Sequence, residues 1–272
     1  MITRTRKVKV APNLRLNVFD SALEKKYPHD LTVIFIHGGT GSLLNWKYQL
    51  SYFSEKYRTI AYDWRGCGNS DRAKTYTFDD HYQDFLSLIK ILKISQKPIL
   101  VAHSYGCLIA QRYIREYGVE KFVSVSLGLS EGSGFFLRIL LSLPKFLQMP
   151  IYRCCLVPQN PFLTRRFVAS KKTPVKKVKE VLDDNPLPPL DFYLGLKTFR
   201  KNESLEWMKN YQEKMLIISG QDDKRIKAKN IQKISDFLPE IKIEIMKNTG
   251  HILQYEAPQT VNHLIEAFIK AK

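Results

Sequence analysis

The sequence predicts an α/β fold in which helices cover both faces of a mostly parallel, doubly wound sheet. Three observations support this prediction. Apolar runs of strand length alternate with stretches of helix length, and most of these runs are continuously apolar. At 272 residues, of which 44% are hydrophobic and 12% aromatic, the chain can bury a full core. We therefore expect one large domain that carries an insertion.

The first element is predicted to be an antiparallel hairpin. Residues 6–20, RKVKVAPNLRLNVFD, alternate charged and apolar side chains on either side of a turn-forming APN. A period of two is typical of strands that bury one face and expose the other. The hairpin should therefore be half exposed and lead into the sheet.

Six later runs are continuously apolar, which is typical of strands buried on both faces of a parallel sheet. They are TVIFIHGG (32–39), RTIAYDW (58–64), PILVAHS (98–104), KFVSVSLG (121–128), EKMLIISG (213–220) and IKIEIMKN (241–248). Five stretches of helical character alternate with them, at residues 45–56, 77–93, 107–118, 230–240 and 257–272. This alternation predicts a doubly wound fold.

The alternation of predicted strands and helices is interrupted between residues 130 and 201, where eight of the chain's 13 prolines lie. So many prolines exclude an ordinary strand and helix unit. We interpret residues 130–201 as a helical lid inserted into a core formed by residues 1–129 and 202–272. The stretch FFLRILLSLPKFLQM at 135–149 predicts an apolar helix with one polar stripe, kinked at Pro144. Such a helix must bury most of its surface against the domain, a ligand or a membrane.

One stretch predicts a catalytic nucleophile. In PILVAHSYGC a buried strand runs directly into a helix, and Ser104 stands at the turn between them. That turn lies at the carboxyl edge of the sheet, where open α/β sheets bind their ligands. Ala102 and Gly106 supply the small side chains that a strained strand-to-helix elbow requires, although a second glycine is more usual at the position of Ala102.

Serine is a weak nucleophile and needs a base, which in turn needs an acid to orient it. The ends of the last two predicted strands offer these groups. GQDD supplies Asp222 and Asp223, and KNTGH supplies His251. The residues alone leave open which aspartate is the acid.

Five motifs together resemble those of the α/β-hydrolase superfamily. They are HGGTGS (37–42), DWRGCGNSD (63–71), AHSYG (102–106), GQDD (220–223) and GHILQYEAP (250–258). The resemblance implies an α/β-hydrolase fold in which Ser104 is the nucleophile, His251 the general base and Asp223 the acid. It further implies an oxyanion hole formed by the backbone N–H groups of Gly39 and Tyr105, and a reaction that uses no cofactor or metal.

Other polar residues near these motifs are expected to have structural roles. We expect His37 to shape the turn after its strand and His103 to be a spacer in the elbow. His81 is expected on a solvated helix face. Asp63 and Arg65 are expected to brace a loop.

The chain is strongly basic, with 43 Lys and Arg residues against 26 Asp and Glu and a net charge of +17. Between residues 130 and 200 there are 12 basic and five acidic residues. Beside an apolar helix, this charge favours contact with an anionic membrane surface. No nucleic-acid motif accompanies it, so nucleic acid is not an expected partner. With no secretory signal or spanning run, we expect a cytoplasmic protein, peripheral to a membrane at most.

The expected function is hydrolysis of carboxylic esters with hydrophobic or lipid-like groups, by a serine esterase or lipase that forms an acyl-enzyme. Two alternatives remain open. HGGTGS and DWRGCGNSD also resemble proline iminopeptidases, although Thr40 replaces a proline found there. A hydrolase scaffold can also serve as a non-catalytic module that binds a small molecule. Dehalogenases and epoxide hydrolases of this fold need a carboxylate at the elbow, which Ser104 does not supply.

Overall fold

The computed structural model describes residues 4–27, 31–94, 97–126, 143–152, 159–196, 205–226 and 228–271. Eight strands form one sheet in the order β1-β2-β4-β3-β5-β6-β7-β8. The strands are β1 (Arg6–Ala11), β2 (Leu14–Asp20), β3 (Thr32–Ile36), β4 (Arg58–Tyr62), β5 (Ile99–His103), β6 (Lys121–Val125), β7 (Met215–Gly220) and β8 (Lys242–Met246). The strands β1 and β2 pair antiparallel and β2 runs antiparallel to β4, whereas all the later pairs are parallel. The predicted fold class, with its leading hairpin, is confirmed.

Ten α-helices lie within the described residues, and none of them is long and apolar enough to cross a bilayer. They are α1 (Lys47–Phe53), α2 (Phe78–Ile91), α3 (Gly106–Tyr117), α4 (Lys145–Ile151), α5 (Pro161–Val168), α6 (Val175–Asp184), α7 (Leu190–Gly195), α8 (Ala228–Phe237), α9 (Leu253–Glu256) and α10 (Pro258–Lys270). Short 3₁₀ helices cover Ser21–Leu23, Leu43–Trp46 and Leu205–Lys214.

The core has two layers because successive side chains of a strand point to opposite faces of the sheet. In β3, Ile34 belongs to the layer that contains Phe85 of α2 and Ile234 of α8. The next residue, Phe35, belongs to the layer that contains Ile265 of α10. Both layers consist of buried apolar side chains, which explains why the central strands are continuously apolar in sequence.

The edge strand β8 differs from its prediction. Its run of isoleucines predicted burial on both faces, but Ile245 is 54% exposed. β8 is the last strand of the sheet and pairs only with β7, so it is less covered than the central strands. The apolar run predicted the strand correctly and its burial wrongly.

The region predicted to be a lid contains α4, α5, α6 and α7. Residues 135–142 of the predicted kinked helix lie outside the described residues. The described part begins as a helix only after Pro144, which has extended backbone angles, so this proline precedes a helix instead of kinking one. The division into core and lid stays a prediction.

His81 is not on a solvated helix face as predicted, because it is only 2% exposed. Its ring packs against Trp64 and against Phe192 of α7, with ring centroids 5.0 and 5.5 Å apart. Burial, and then the charge of Arg65, lowers the pKa of His81 to about 3. The acidic residues around His81 suggested that it is exposed to solvent, but helix α7, which is distant in sequence, covers it.

Asp63 and Arg65 brace loops, as predicted. Asp63 accepts hydrogen bonds from the backbone N–H groups of Leu43 at 2.6 Å and Asn69 at 2.8 Å. Arg65 donates two hydrogen bonds of 2.7 Å to Asp84 of α2. These buried, charge-assisted bonds fix the segment that follows β4 against the rest of the core.

Three buried histidines should make stability depend on pH. Burial is the main cause that lowers the pKa of His37 to about 4 and the pKa values of His81 and His103 to about 3. Below about pH 6.5 the unfolded chain therefore binds more protons than the folded chain, and stability falls as the pH falls. Each histidine contributes a slope of about 1.4 kcal/mol per pH unit until its folded pKa is reached.

We expect His81→Phe to remove one histidine's share of this slope, since phenylalanine fits between the same two rings. The measurement is the free energy of unfolding by urea from pH 7.5 to pH 4. The difference between variant and wild type at pH 7.5 reports the packing change alone and serves as the internal control. Equal slopes for the two proteins would show that His81 does not carry this pH dependence.

Candidate active site

The turn at Ser104 is strained, as predicted. Ser104 follows β5 with a φ of 49°, in the left-handed region where a residue other than glycine costs about 1–3 kcal/mol. A Cβ atom on Gly106 would lie 2.4 Å from the carbonyl oxygen of His37 and 2.8 Å from that of Ile36. The first turn of α3 thus touches the end of β3, and only glycine allows that approach.

The HGG segment lies against this elbow. A Cβ atom on Gly38 would lie 3.1 Å from Cβ of Ser104, and one on Gly39 would lie 3.0 Å from Cδ2 of Tyr105. Within the described residues, no acceptor is bonded to the backbone N–H of Gly39. The structure thus brings Gly39 beside Tyr105, as the sequence predicted, and adds Gly38 as the residue that contacts Ser104 itself.

His37 shapes the turn that carries these glycines, as predicted. Its Nδ1 donates to the carbonyl oxygen of Gly38 at 2.7 Å, and its Nε2 accepts from the backbone N–H of Trp64 at 3.0 Å. Since burial lowers the pKa of His37 to about 4, the ring is neutral near pH 7 and can make both bonds. It is fully buried and serves as a structural bridge.

Asp223 and His251 form a hydrogen-bonded pair, with 2.9 Å between Oδ2 and Nδ1. The other oxygen of Asp223 accepts from the backbone N–H groups of Arg225 and Ile226 at 2.8 and 3.0 Å. Burial acts to raise the pKa of Asp223, but the hydrogen bond and charge of His251, together with the backbone hydrogen bonds from Ile226 and Arg225, leave that pKa below its usual value. An ionised Asp223 holds the Nδ1 proton of His251, so Nε2 keeps the lone pair that a general base needs.

Asp222, the alternative acid, lies elsewhere. It is exposed, and its carboxylate accepts a hydrogen bond from the hydroxyl of Ser170. The structure therefore brings Asp223, and not Asp222, to His251.

His103, the residue directly before Ser104, contacts His251. The rings of His103 and His251 have centroids 4.9 Å apart, and Nε2 of His103 donates to the carbonyl oxygen of His251 at 2.9 Å. The hydroxyl of Ser126 donates to the same carbonyl oxygen at 3.1 Å. Among the described contacts there is no direct hydrogen bond from Ser104 to His251, a bond that often tightens only when substrate is bound.

His103 is therefore more than the predicted spacer. Burial, and then the charge of His251, lowers the pKa of His103 to about 3, so it donates as a neutral ring. His103 directly precedes Ser104 and forms a hydrogen bond with the backbone of His251. It thus connects the turn at Ser104 to the loop that carries His251, which we call the histidine loop. Sequence reasoning missed this link because it joins residues 148 positions apart.

A family model described as the alpha/beta hydrolase fold matches residues 32–258. The chain belongs to this family. That match spans all the motifs that carried the resemblance, from HGGTGS to GHILQYEAP. It agrees with the eight-stranded, mostly parallel sheet of this α/β-hydrolase.

Curated relatives are similar along most of this chain. Epoxide hydrolase 3 of Xenopus tropicalis is 26% identical over 266 residues, which cover 88% of this chain and 71% of that protein. Protein ABHD8 of Homo sapiens is 25% identical over 251 residues, which cover 88% of this chain and 55% of that protein. The chain thus spans about half the length of one relative and 71% of the other.

Solved structures share the fold. A thermophilic esterase from Thermogutta terrifontis matches with a TM-score of 0.79 and 16% identity, covering 98% of both chains. A bromoperoxidase from Bacillus anthracis matches with a TM-score of 0.77 and 21% identity, covering 98% of this chain and 100% of that chain. At these identities the likeness concerns the fold alone.

Residues 168–173, which we call the strap, join the predicted lid of this α/β-hydrolase to the histidine loop. The backbone N–H of His251 donates to the carbonyl oxygen of Val168 at 2.8 Å. A Cβ atom on Gly250 would lie 2.7 Å from the backbone of Ala169, so the two segments are in direct backbone contact. The strap therefore lies against the loop that carries the proposed base.

Glu256 holds the strap and the loop together. One of its oxygens accepts from the backbone N–H of Ser170 at 2.8 Å and from the hydroxyl of Thr173, and the other accepts from the backbone N–H of Gly250 at 2.6 Å. Sequence reasoning assigned no role to Glu256. The signal was present in GHILQYEAP, where a carboxylate follows His251 by five residues.

We expect Glu256→Gln to destabilise the protein by about 1–3 kcal/mol and to lower the rate of catalysis, because an amide NH₂ group would face one of the buried N–H donors. Urea unfolding measures the change in stability, and the kcat of hydrolysis measures the change in catalysis. Glu244→Gln, at an exposed position of β8, is the matched control and should change neither quantity. Unchanged stability in Glu256→Gln would contradict this role for Glu256.

Proposed function

We propose that this α/β-hydrolase cleaves carboxylic esters by forming an acyl-enzyme on Ser104. The observation that carries the proposal is the 2.9 Å bond between Nδ1 of His251 and Asp223, linked through His103 to a serine in a strained turn. A serine at an elbow, an imidazole with a free Nε2 and a buried, ionised carboxylate are the three parts that acyl transfer requires.

In the acylation step, Oγ of Ser104 attacks the ester carbonyl carbon while Nε2 of His251 takes its proton. The positive charge that forms on His251 is stabilised by Asp223. The carbonyl oxygen becomes an oxyanion, for which the N–H groups of Gly39 and Tyr105 are the proposed donors. One such donor contributes about 3–4 kcal/mol to the lowering of the barrier. The tetrahedral intermediate then expels the alcohol, which receives the proton from His251.

Deacylation repeats these steps with water as the nucleophile. His251 takes a proton from water, the hydroxide attacks the acyl carbon, and Ser104 leaves with the proton returned by His251. The balance is one ester and one water converted to one acid and one alcohol. No metal or redox cofactor takes part in this proposed sequence.

A hydrophobic or lipid-like ester is the proposed substrate class. Leu196, at the end of the region predicted to be a lid, approaches Gly39 so closely that a Cβ atom on that glycine would lie 3.2 Å from it. An apolar side chain beside the proposed oxyanion loop favours substrates whose acyl or alcohol group is apolar.

Epoxide hydrolysis is disfavoured despite the name of the Xenopus relative. A carboxylate can open an epoxide and form an ester that water then cleaves at its carbonyl carbon. Ser104 in that role would form an ether, which has no carbonyl carbon for water to attack, and the enzyme would stop after one event. The residue at the elbow thus favours esters over epoxides as substrates.

The proposed nucleophile can be tested by covalent labelling. A fluorophosphonate probe, which phosphonylates activated serines, should label the wild type and should fail to label Ser104→Ala and His251→Ala. Asp223→Asn should lose on the order of 10³–10⁴-fold in labelling rate, because the histidine would lose its orienting acid. The neighbouring Asp222→Asn is the matched control and should label at close to the wild-type rate.

Two outcomes would contradict this prediction. Labelling of Ser104→Ala would place the reactive serine elsewhere. A folded wild type that is not labelled would favour the non-catalytic binding module as the function.

The type of bond that is cleaved can be tested with a series of substrates. Across p-nitrophenyl esters of increasing acyl length, kcat/KM should rise from the acetate to medium chains. A prolyl amide and an aryl epoxide should be turned over at least 100-fold more slowly, with Ser104→Ala as the background control. Faster cleavage of the prolyl amide would instead support an activity like that of the proline iminopeptidases.

A further inference from the structure

Helix α5, Pro161–Val168, has three large apolar side chains on the outside. Phe162, Leu163 and Phe167 are 64%, 47% and 49% exposed, whereas the polar Thr164 between them is buried. Positions 162, 163 and 167 lie on one side of a helix of 3.6 residues per turn. A helix that stabilised the fold by apolar burial would have the opposite arrangement.

Exposed apolar side chains are concentrated in this part of the chain. Among the described residues nine large hydrophobic side chains are exposed, and five of them lie on α4 and α5. The other four lie singly on separate elements, at Leu23, Ile91, Tyr117 and Ile245. Single exposed side chains are ordinary, but a contiguous exposed face indicates a surface that something else covers.

Four cations lie next to Phe162 at this apolar face. Phe162 lines a groove of about 580 Å³ together with Arg165, Arg166, Lys171 and Lys224. In the described part of the chain, none of these four cations has a carboxylate within 4.0 Å. Their charge is therefore available to an outside partner. We call Phe162, Leu163, Phe167 and these cations the α5 face.

We propose that the α5 face binds the surface of an anionic lipid bilayer. Aromatic and aliphatic side chains beside Lys and Arg are the pattern of a helix that lies in a membrane interface, where the rings enter the acyl boundary and the cations contact headgroups. A soluble anion would engage the cations and leave three apolar side chains in water. The lipid surface matches both halves of the pattern.

The position of α5 gives this contact a use. The helix ends at Val168, whose carbonyl oxygen accepts the backbone N–H of His251. A bilayer bound by the α5 face would therefore lie close to the loop that carries His251, because the helix that binds it ends at the residue that bonds His251. The value of that proximity rests on the proposed ester hydrolysis, whereas the binding itself does not depend on Ser104.

Binding is best measured on the 272-residue Ser104→Ala protein, which lacks the proposed nucleophile and so should not consume lipid. We expect it to sediment with vesicles of phosphatidylcholine containing about 30% phosphatidylserine at about 0.05 M salt. It should be released at about 0.5 M salt and should not sediment with pure phosphatidylcholine, because screening and loss of anionic lipid remove the same attraction.

Two double variants test the α5 face in this background. Phe162→Ser with Phe167→Ser should weaken binding at least tenfold, since two rings no longer enter the acyl boundary. Arg166→Glu with Lys171→Glu should weaken it at least 25-fold, from about fivefold for each cation removed. All four positions are exposed, so circular dichroism and thermal unfolding should match those of the parent.

Matched controls distinguish binding by the α5 face from non-specific attraction by the net charge of +17. Lys9→Glu with Lys233→Glu changes the net charge by the same amount at exposed positions on β1 and α8, and Leu23→Ser with Ile245→Ser removes two exposed apolar side chains elsewhere. Both controls should bind vesicles within about twofold of the parent protein. Equal weakening by the charge control and the Arg166 and Lys171 variant would overturn the proposal, as would no binding of the parent to anionic vesicles at low salt.

A separate assay distinguishes this proposal from the proposed function. With Ser104 intact, the Phe162→Ser and Phe167→Ser double variant, which leaves the strap unchanged, should hydrolyse a water-soluble short ester at the wild-type rate. Hydrolysis without vesicle binding would refute only the proposal that the α5 face binds a membrane. Vesicle binding without hydrolysis would refute only the ester hydrolase.

Discussion

The close approach between the first turn of α3 and the end of β3 is the constraint on which the rest of the site depends. Gly106 allows the helix to touch the carbonyl oxygens of Ile36 and His37, and this contact forces Ser104 into its left-handed conformation. The same contact brings the glycines after His37 against the elbow. The proposed nucleophile and the proposed oxyanion loop are therefore positioned by the same contact, and a side chain at residue 106 would displace both.

Much of the fold and of the candidate site followed from the sequence. The continuous apolar runs predicted the parallel strands because those strands are covered on both faces. The order of Ser104, Asp223 and His251 predicted which strand ends meet, because parallel strands place their carboxyl ends at one edge of the sheet. The residues alone left Asp222 and Asp223 open and the resemblance implied Asp223, which in the structure is the aspartate that bonds His251.

The residues that the sequence did not explain depend on contacts between distant segments. His81 lies in an acidic stretch that suggested solvent, and it is buried because Phe192 of α7 covers it. The link from His103 to the backbone of His251 joins two motifs that local patterns cannot relate. Ile245 shows the reverse effect, because an apolar run cannot reveal that its strand lies at the edge of the sheet.

The strap affects how such enzymes could exchange parts during evolution. An insertion that shapes a substrate pocket would be a convenient unit for recombination between relatives, since the core supplies the chemistry. Here residues 168–173 form hydrogen bonds with the backbone of His251 and with Glu256. If the predicted insertion were exchanged for that of a relative, these hydrogen bonds would be lost unless the new segment could form them too. Changes in substrate range should therefore occur mainly through residues outside the strap. The strap itself should change only together with Glu256.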